Sequence, residues 1–268
     1  MRKGAAIIIA ALLLPAACIR EDRSECPCYL HVDLSRVSPQ STRSVDILLA
    51  SQAGDRWHPV PESAIGDTLI MAVDKSEFDF CAWGNLGGSQ IDGEGRTIRP
   101  DVPRDSLWSC VEHISTRCED AYVQVVMQRQ YRPVTIIVRG MLSGISGLSP
   151  VLTGVSGGLS FTGAGRGEGA RLVPEQEADS PEGICIFRTM LLTQPSAVNL
   201  RLKLFFLQGG EARESEYPLG EMLLAQGEDI STGGGNPVVV DLTVGSASIL
   251  FTLKCNGWTT HGIYEITY

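Results

Sequence analysis

Short segments in which apolar and polar residues alternate limit the fold of this chain more than any other feature. Leu30, Val32 and Leu34 alternate with His31 and Asp33. Strand-like segments of this kind recur along the sequence, at residues 45–49, 78–82, 121–127, 134–138, 184–192, 198–207, 238–244, 249–253 and 263–268. A period of two predicts β-strands with one buried face, and no segment has the long apolar stripe of an amphipathic helix. Short helices are expected only near residues 105–113 and 220–225.

Many short strands, separated by clusters of Gly, Pro, Ser and Asp, predict an all-β fold of antiparallel β-sandwiches. The polar stretch 128–133 lies between two strong strand segments near the middle of the chain. We therefore predict an N-terminal β-sandwich domain at residues 26–130 and a C-terminal β-sandwich domain at residues 131–268.

The segment at residues 141–177 differs from the rest of the chain in composition, because it is rich in glycine and serine. Residues 142–147 (LSGISG) are echoed ten residues later at 152–157 (LTGVSG). Two copies are too few for a solenoid, which needs at least about three stacked units. A pair of related β-turns or a flexible loop is the expected structure.

The first residues have the pattern of an export signal. Arg2 and Lys3 precede an uncharged apolar run at 5–14, and the small residues 16–17 stand directly before Cys18. Residues 1–17 are predicted to be a cleaved signal peptide, since the apolar run is about half of the roughly 20 residues that span a bilayer. Cys18 is then the predicted site of lipidation and 18–25 a linker; the alternative is an ordinary signal peptide with Cys18 incidental.

The charge of the chain limits its partners. The formal net charge is −9 and the pI is near 5. A nucleic-acid-binding protein needs a basic stripe or patch, and this sequence has none. We predict no nucleic-acid partner.

Seven cysteines remain when Cys18 is set aside, and an odd number cannot all pair within the chain. Cys110 and Cys118 are the closest candidates for a disulfide, which an oxidising envelope would permit. Cys26 and Cys28 are separated by one proline, a spacing that fits neither zinc nor thioredoxin-type sites. For these two we favour bonding to different partners, or one free thiol.

The motifs that suggest catalysis are incomplete. Gly154-Val155-Ser156-Gly157-Gly158 matches the nucleophile elbow of serine hydrolases, but the glycine-rich residues that follow disfavour the helix that this motif requires. The four histidines are scattered and form no metal-binding motif. We expect a binding or assembly protein rather than an enzyme, with no catalytic residue, cofactor or metal.

The last segment of the sequence is a candidate partner strand. Tyr264, Ile266 and Tyr268 alternate with Ile263, Glu265 and Thr267. Such a strand can close its own sheet, or it can pair with the open sheet edge of another subunit. The residues expected to contact a partner are Ile263, Tyr264, Ile266 and Tyr268.

Several short motifs, in this order, resemble a known family. They are Cys18 with its acidic linker, Cys26-Pro27 before a strand, residues 82–85 (AWGN) closing a strand, the 129–138 junction, and residues 256–258 (NGW). Together they resemble the FimB-type fimbrial anchor lipoproteins of Bacteroidetes, which belong to type V pili. Arg20-Glu21-Asp22 also resembles the signal that sends many Bacteroidetes lipoproteins to the outer face of the outer membrane.

This resemblance implies two tandem transthyretin-like β-sandwich domains on a lipid tether at Cys18, at the surface of the outer membrane. It also implies that the protein holds the base of a pilus and limits its length through β-strand contact with a stalk subunit (pilin). The alternatives are a surface glycan-binding lipoprotein and, more remotely, a hydrolase. A glycan-binding protein of this class would need three of its four tryptophans on one face.

Overall fold

The structure is a computed structural model, and it describes residues 26–87, 89–92, 96–100, 107–140, 142–167, 169–178, 183–196, 199–231, 233–245, 248–255 and 257–265. The side chains of 263–265 are not included in this description. The predicted signal peptide, Cys18, the linker 18–25, Ile266 and Tyr268 all lie outside the described residues. Across the described part of the chain, no helix is long and apolar enough to span a membrane.

Strands dominate the described residues. In chain order they are β1 Cys28–Asp33, β2 Val45–Ser51, β3 Gly54–Val60, β4 Thr68–Val73, β5 Glu77–Gly84, β6 Gln90–Asp92, β7 Thr97–Arg99, β8 Trp108–Ser115, β9 Asp120–Gln124, β10 Gln128–Arg129, β11 Tyr131–Gly140, β12 Ile145–Val155, β13 Gly158–Ser160, β14 Gly165–Arg166, β15 Ala170–Leu172, β16 Glu175–Gln176, β17 Ile184–Leu192, β18 Arg201–Gln208, β19 Glu211–Tyr217, β20 Val238–Val244, β21 Ser248–Cys255 and β22 Trp258–Glu265. One helix, α1, covers Leu219–Ala225, and a short 3-10 turn covers Glu62–Ala64. The prediction of an all-β fold is confirmed.

The first sandwich packs a three-stranded sheet, in the order β4-β1-β9, against a five-stranded sheet, in the order β10-β8-β5-β2-β3. Alternate residues of β1, such as Leu30 and Val32, lie in its core together with Ile47, Phe78 and Phe80 from the other sheet. Strand alternation accounts for this core, because every second side chain of a strand points to the same face.

The second sandwich packs a six-stranded sheet, β16-β17-β11-β20-β21-β22, against a four-stranded sheet, β15-β12-β18-β19. Val134, Ile136 and Val138 of β11 share a core with Leu202 and Leu204 of β18. α1 lies at one end of this core, where Leu219 and Leu223 are buried.

A third, smaller core joins the two sandwiches. β13, from the glycine-rich segment, pairs with β7 of the N-terminal half, with Leu159 opposite Ile98. These two residues lie in one apolar cluster with Leu48 and Trp83, which project from the outer face of the five-stranded sheet. The glycine-rich segment therefore packs, through β13, on the outer face of the five-stranded sheet of the first sandwich.

The predicted antiparallel β-sandwich fold also contains two parallel strand pairs, β1 with β9 and β11 with β20. The helix expected at 105–113 is wrong, because Trp108–Ser115 pairs with β5 as the strand β8. The helix expected near 220–225 is confirmed as α1.

The expectation of two related β-turns or a flexible loop at 141–177 is also wrong, because most of that segment forms strands β12 to β16. β12 pairs with β18 and β15, and its register shifts at Ser146/Ser149 and at Thr153/Val155. Gly154 lies at the second shift with a φ of 70°. The glycines at these two shifts thus allow β-bulges within an ordered strand, a position where glycine is common.

Candidate interaction edge and the junction of the two sandwiches

β22 is an edge strand. It pairs with β21 on one side, with Trp258 opposite Cys255 and Ile263 opposite Leu250, and it is last in the order of the six-stranded sheet. The C-terminal segment was predicted either to close its own sheet or to pair with another subunit. Ile263 and Tyr264 lie in a strand of their own sheet, as the first alternative states. The contact of this segment with another subunit stays a prediction.

The hairpin geometry determines which backbone groups of β22 face outward. Only two residues separate Cys255 from Trp258, so these two flank a two-residue turn and form a hydrogen-bonded pair. Hydrogen-bonded and non-hydrogen-bonded pairs alternate along an antiparallel ladder. The N–H and C=O groups of Thr259 and His261 therefore point away from β21, toward the open edge, where an added strand would bond to them.

Side-chain contacts fix β22 on its own sandwich. Thr252 of β21 and His261 are joined through Oγ1 and Nδ1 at 3.0 Å. The amide of Gln226, at the end of α1, donates to the Thr260 hydroxyl at 2.6 Å. β22 is thus held to its own sandwich by side-chain contacts as well as by its ladder with β21.

β1, the first strand after the predicted linker, is the middle strand of its sheet. It pairs with β4 on one side and with β9 on the other. Asp33 at its end accepts hydrogen bonds from the Ser35 backbone N–H at 2.9 Å and from the Gln124 amide at 2.9 Å. These bonds lower the pKa of Asp33 to about 2. A pull on the N-terminus would therefore reach a strand that is bonded on both sides.

The outer face of this three-stranded sheet exposes aromatic side chains. Tyr122 is 74% exposed, Ile70 57% and Tyr29 51%. The rings of His31 and Tyr122 stack at a centroid distance of 4.5 Å, and His31 Nε2 lies 3.0 Å from a carboxylate oxygen of Asp120. The face offers apolar contact area next to polar groups.

The structure does not bring Cys110 and Cys118 together, so the predicted disulfide is corrected. Both are free thiols; Cys110 is buried in the first core and Cys118 is exposed. β8 runs extended from Cys110 to Ser115, which separates the two by far more than the roughly 6 Å between the Cα atoms of a disulfide. Cys118 instead lies near the start of β1, where the Tyr29 N–H donates to the Glu119 carbonyl at 2.7 Å.

A buried ion pair lies within the second sandwich, close to its junction with the first. Arg132 Nη1 donates to Glu228 Oε2 at 2.9 Å, and Nη2 donates to the Asp229 carbonyl at 3.0 Å. Arg132 and Glu228 are both buried. Next to them, Arg129 donates to the Gly235 carbonyl at 3.0 Å and thereby secures the loop before β20. Sequence analysis missed this pair, because nothing in the residues between 132 and 228 links the two.

Ser156 does not have the geometry of a hydrolase nucleophile. β12 ends at Val155 and β13 begins at Gly158, so a strand follows where the elbow motif needs a helix. The serine is buried, and its hydroxyl has no hydrogen-bond partner among the described residues. The four histidines are in β1, β3, β8 and β22.

The tryptophans form no shared platform. Trp83 is fully buried, while Trp258 is 66% exposed on the other sandwich. Trp57 and Trp108 lie on β3 and β8. Trp83 donates its indole N–H to the Phe161 carbonyl at 2.9 Å, so its ring serves in packing. No cluster of metal ligands occurs in the part of the chain that the structure describes.

The strand motif at residues 82–85 has a structural explanation. Asn85 has a φ of 64°, and its side chain accepts from the Arg43 N–H at 2.7 Å and donates to the Ser41 carbonyl at 2.8 Å. Asparagine tolerates this left-handed conformation better than most residues. The motif ends β5 and fixes the loop before β2.

Comparisons with known proteins relate the chain to others through its fold. No protein-family model matches the chain, and no curated protein matches it by sequence. Among solved structures, the fimbrial anchor protein Mfa2 from Porphyromonas gingivalis has a TM-score of 0.65 at 12% identity, covering 88% of this chain and 100% of Mfa2. A candidate adhesin from Bacteroides ovatus has a TM-score of 0.61 at 10% identity, covering 88% and 95%.

A candidate polysaccharide-binding protein from Bacteroides thetaiotaomicron has a TM-score of 0.60 at 12% identity, covering 88% of this chain and 98% of its own. At these identities the likeness concerns architecture. The resemblance to FimB-type fimbrial anchors that the sequence motifs suggested is confirmed at the level of the fold: this chain shares the two-sandwich architecture of a fimbrial anchor protein and of Bacteroides adhesin candidates.

Proposed function

We propose that this chain is an outer-membrane lipoprotein, exposed at the cell surface, that fixes the base of a fimbrium and limits its length. The observation that most supports this proposal is the fold shared with Mfa2 over the whole length of Mfa2. The export pattern of residues 1–17 and Cys18 supports the lipid tether, since acyl chains on one cysteine would retain the protein at a membrane.

The open edge of β22 is the proposed contact with a stalk subunit. An added strand would bond to the outward backbone groups of Thr259 and His261 and continue the six-stranded sheet, as in β-augmentation. Main-chain bonds would supply affinity for the added strand, and contacts of alternate side chains would supply its specificity.

The lipid tether is tested by Cys18→Ala in the full-length protein. The variant is expected in the soluble fraction and without label from a palmitate analogue, while the wild type is labelled and sediments with membranes. Cys26→Ala is the matched control, since it removes a nearby thiol outside the lipidation pattern. Membrane association and labelling of Cys18→Ala at the wild-type level would contradict the tether.

The β22 contact is tested by Thr259→Pro, because proline removes a backbone N–H that points to the open edge and breaks no bond to β21. Cells carrying this variant are expected to show less co-purification of the stalk subunit and altered fimbrial length in electron micrographs. Thr259→Ala, which retains the N–H, should match the wild type. Deletion of residues 263–268 should also weaken co-purification. Unchanged assembly in both Thr259→Pro and the deletion would exclude this edge.

Glycan binding is the second candidate, because Tyr29 and Tyr122 offer exposed rings on the outer face of the β4-β1-β9 sheet. Aromatic faces stack on sugar rings, and Asp120 and His31 beside them could bond hydroxyl groups. Tyr122→Ala should then reduce retention on a polysaccharide affinity gel, whereas Trp258→Ala, on the other sandwich, should not. Equal retention of the two variants would remove this candidate.

A further inference from the structure

Two cysteines meet where the first strand begins. Cys28 is the first residue of β1 and is buried, while Cys118 lies two residues before β9 and is exposed. The backbones are joined here, since Tyr29 N–H donates to the Glu119 carbonyl at 2.7 Å. The chain bends at residues 118 and 119. The parallel pair of β1 and β9 places Tyr29 opposite Asp120, so Cys28 and Cys118 both lie next to the same joined stretch of backbone. After burial, the charge of Cys118 is the next largest cause that raises the pKa of the Cys28 thiol.

No other pair of the described cysteines has this placement. Cys81 and Cys110 are on neighbouring strands but on opposite faces of the sheet, since Cys81 lies in the third core and Cys110 in the first. Cys185 on β17 and Cys255 on β21 are separated by β11 and β20. Cys26 is exposed and two residues from Cys28, so it is the competing partner for Cys118.

We propose that Cys28 and Cys118 form a disulfide that links β1 to β9. The oxidant is a disulfide, either glutathione disulfide or an envelope thiol oxidoreductase; its presence in the cell rests on the proposed export. The exposed Cys118 thiolate attacks the oxidant, forms a mixed disulfide and expels one thiol. The Cys28 thiolate then attacks the Cys118 sulfur and expels the second thiol, so two electrons and two protons pass to the oxidant.

The bridge would act where the proposed tether meets the fold. Cys28 is the first strand residue after the linker, and the hydrogen bonds of β1 are the first to be loaded when the N-terminus is pulled. A covalent bond between Cys28 and Cys118 would transfer that load directly to β9. It would also close a long loop between the two residues, so its reduction is expected to lower the melting temperature by on the order of 10 °C.

The test uses full-length protein that is reduced, then oxidised with glutathione disulfide, alkylated under denaturing conditions and digested with trypsin without reduction. Cleavage after Lys and Arg places Cys26 and Cys28 in peptide 24–36 and Cys118 in peptide 118–129. The expected result is a mass for these two peptides linked. Cys26→Ser should retain the link and Cys28→Ser should lose it, together with the gain in melting temperature; Cys185→Ser is the matched control and should retain both.

Full alkylation of Cys118, or a link that persists in Cys28→Ser and disappears in Cys26→Ser, would overturn the proposal. The same digest of protein isolated from cell envelopes addresses export separately. A link that forms with glutathione disulfide but is missing from envelope protein would support the Cys28–Cys118 disulfide and count against the exported location.

Discussion

The indole N–H of Trp83 donates to the main-chain carbonyl of Phe161 at 2.9 Å, across the boundary between the N-terminal half and the glycine-rich segment. Trp83 lies on β5 and is completely buried, and Phe161 follows β13 directly. Arg96 packs over the Phe161 ring at 5.2 Å from its centroid. The hydrogen bond therefore links the β13–β7 strand pair to the outer face of the five-stranded sheet on which it packs.

Trp83→Phe tests this contact. Phenylalanine retains an aromatic ring but leaves the Phe161 carbonyl without its donor, which costs about 1–3 kcal/mol of unfolding free energy, with lost packing in addition. The measurement is urea denaturation followed by circular dichroism. Trp258→Phe, at an exposed position, should change the free energy by less than about 0.5 kcal/mol. Equal effects of the two substitutions would contradict the role of the Trp83 bond.

Arg132 and Glu228 allow a second prediction. Removal of one member of a buried ion pair leaves the other charge unpaired, so Arg132→Met should lower the unfolding free energy by about 3–5 kcal/mol. The double variant Arg132→Met/Glu228→Leu should be more stable than Arg132→Met alone, because neither charge then remains buried. Urea denaturation of both variants, with Glu228→Leu, completes the cycle. Additive losses would show that the pair does not interact as the geometry indicates.

The sequence predicted the strands well where one face is buried and the pattern is local. The segments 184–192 and 238–244 coincide with β17 and β20. β8 was missed because three consecutive residues, Val111 to His113, are exposed and interrupt the alternation of buried and exposed positions, and β12 was missed because glycines and serines obscure its pattern. The partners within the sites were not predictable from the sequence, because the fold brings Cys28 near Cys118, and Arg132 near Glu228, from positions about 90 or more residues apart.

Gly154 in β12 shows what the glycine-rich segment requires. Its φ is 70°, and a Cβ at this position would overlap the Asn199 carbonyl oxygen. Gly154→Ala should therefore lower the unfolding free energy by more than about 1 kcal/mol. Gly144→Ala is the matched control, since Gly144 also has a positive φ of 79° but has open space around a Cβ. Thermal denaturation should show a larger loss for Gly154→Ala, and equal losses would mean that the approach of Asn199 has no effect.

Cys81 permits a prediction about pH. Burial, followed by the nearby Asp79, raises the pKa of the Cys81 thiol from 9.0 to about 12. In the unfolded chain this thiol ionises near pH 9, so its contribution to folding is fully present below pH 9 and is lost as the pH rises from 9 toward 12.

In reduced, folded protein at pH 8.5, iodoacetamide should modify the exposed Cys118 at least 100-fold faster than Cys81, because the thiolate is the reacting form. In 6 M guanidinium chloride the two rates should become similar, as measured by mass spectrometry of the tryptic peptides. Rapid modification of Cys81 in the folded protein, at the rate of Cys118, would mean that the face of β5 beneath β13 is open to solvent.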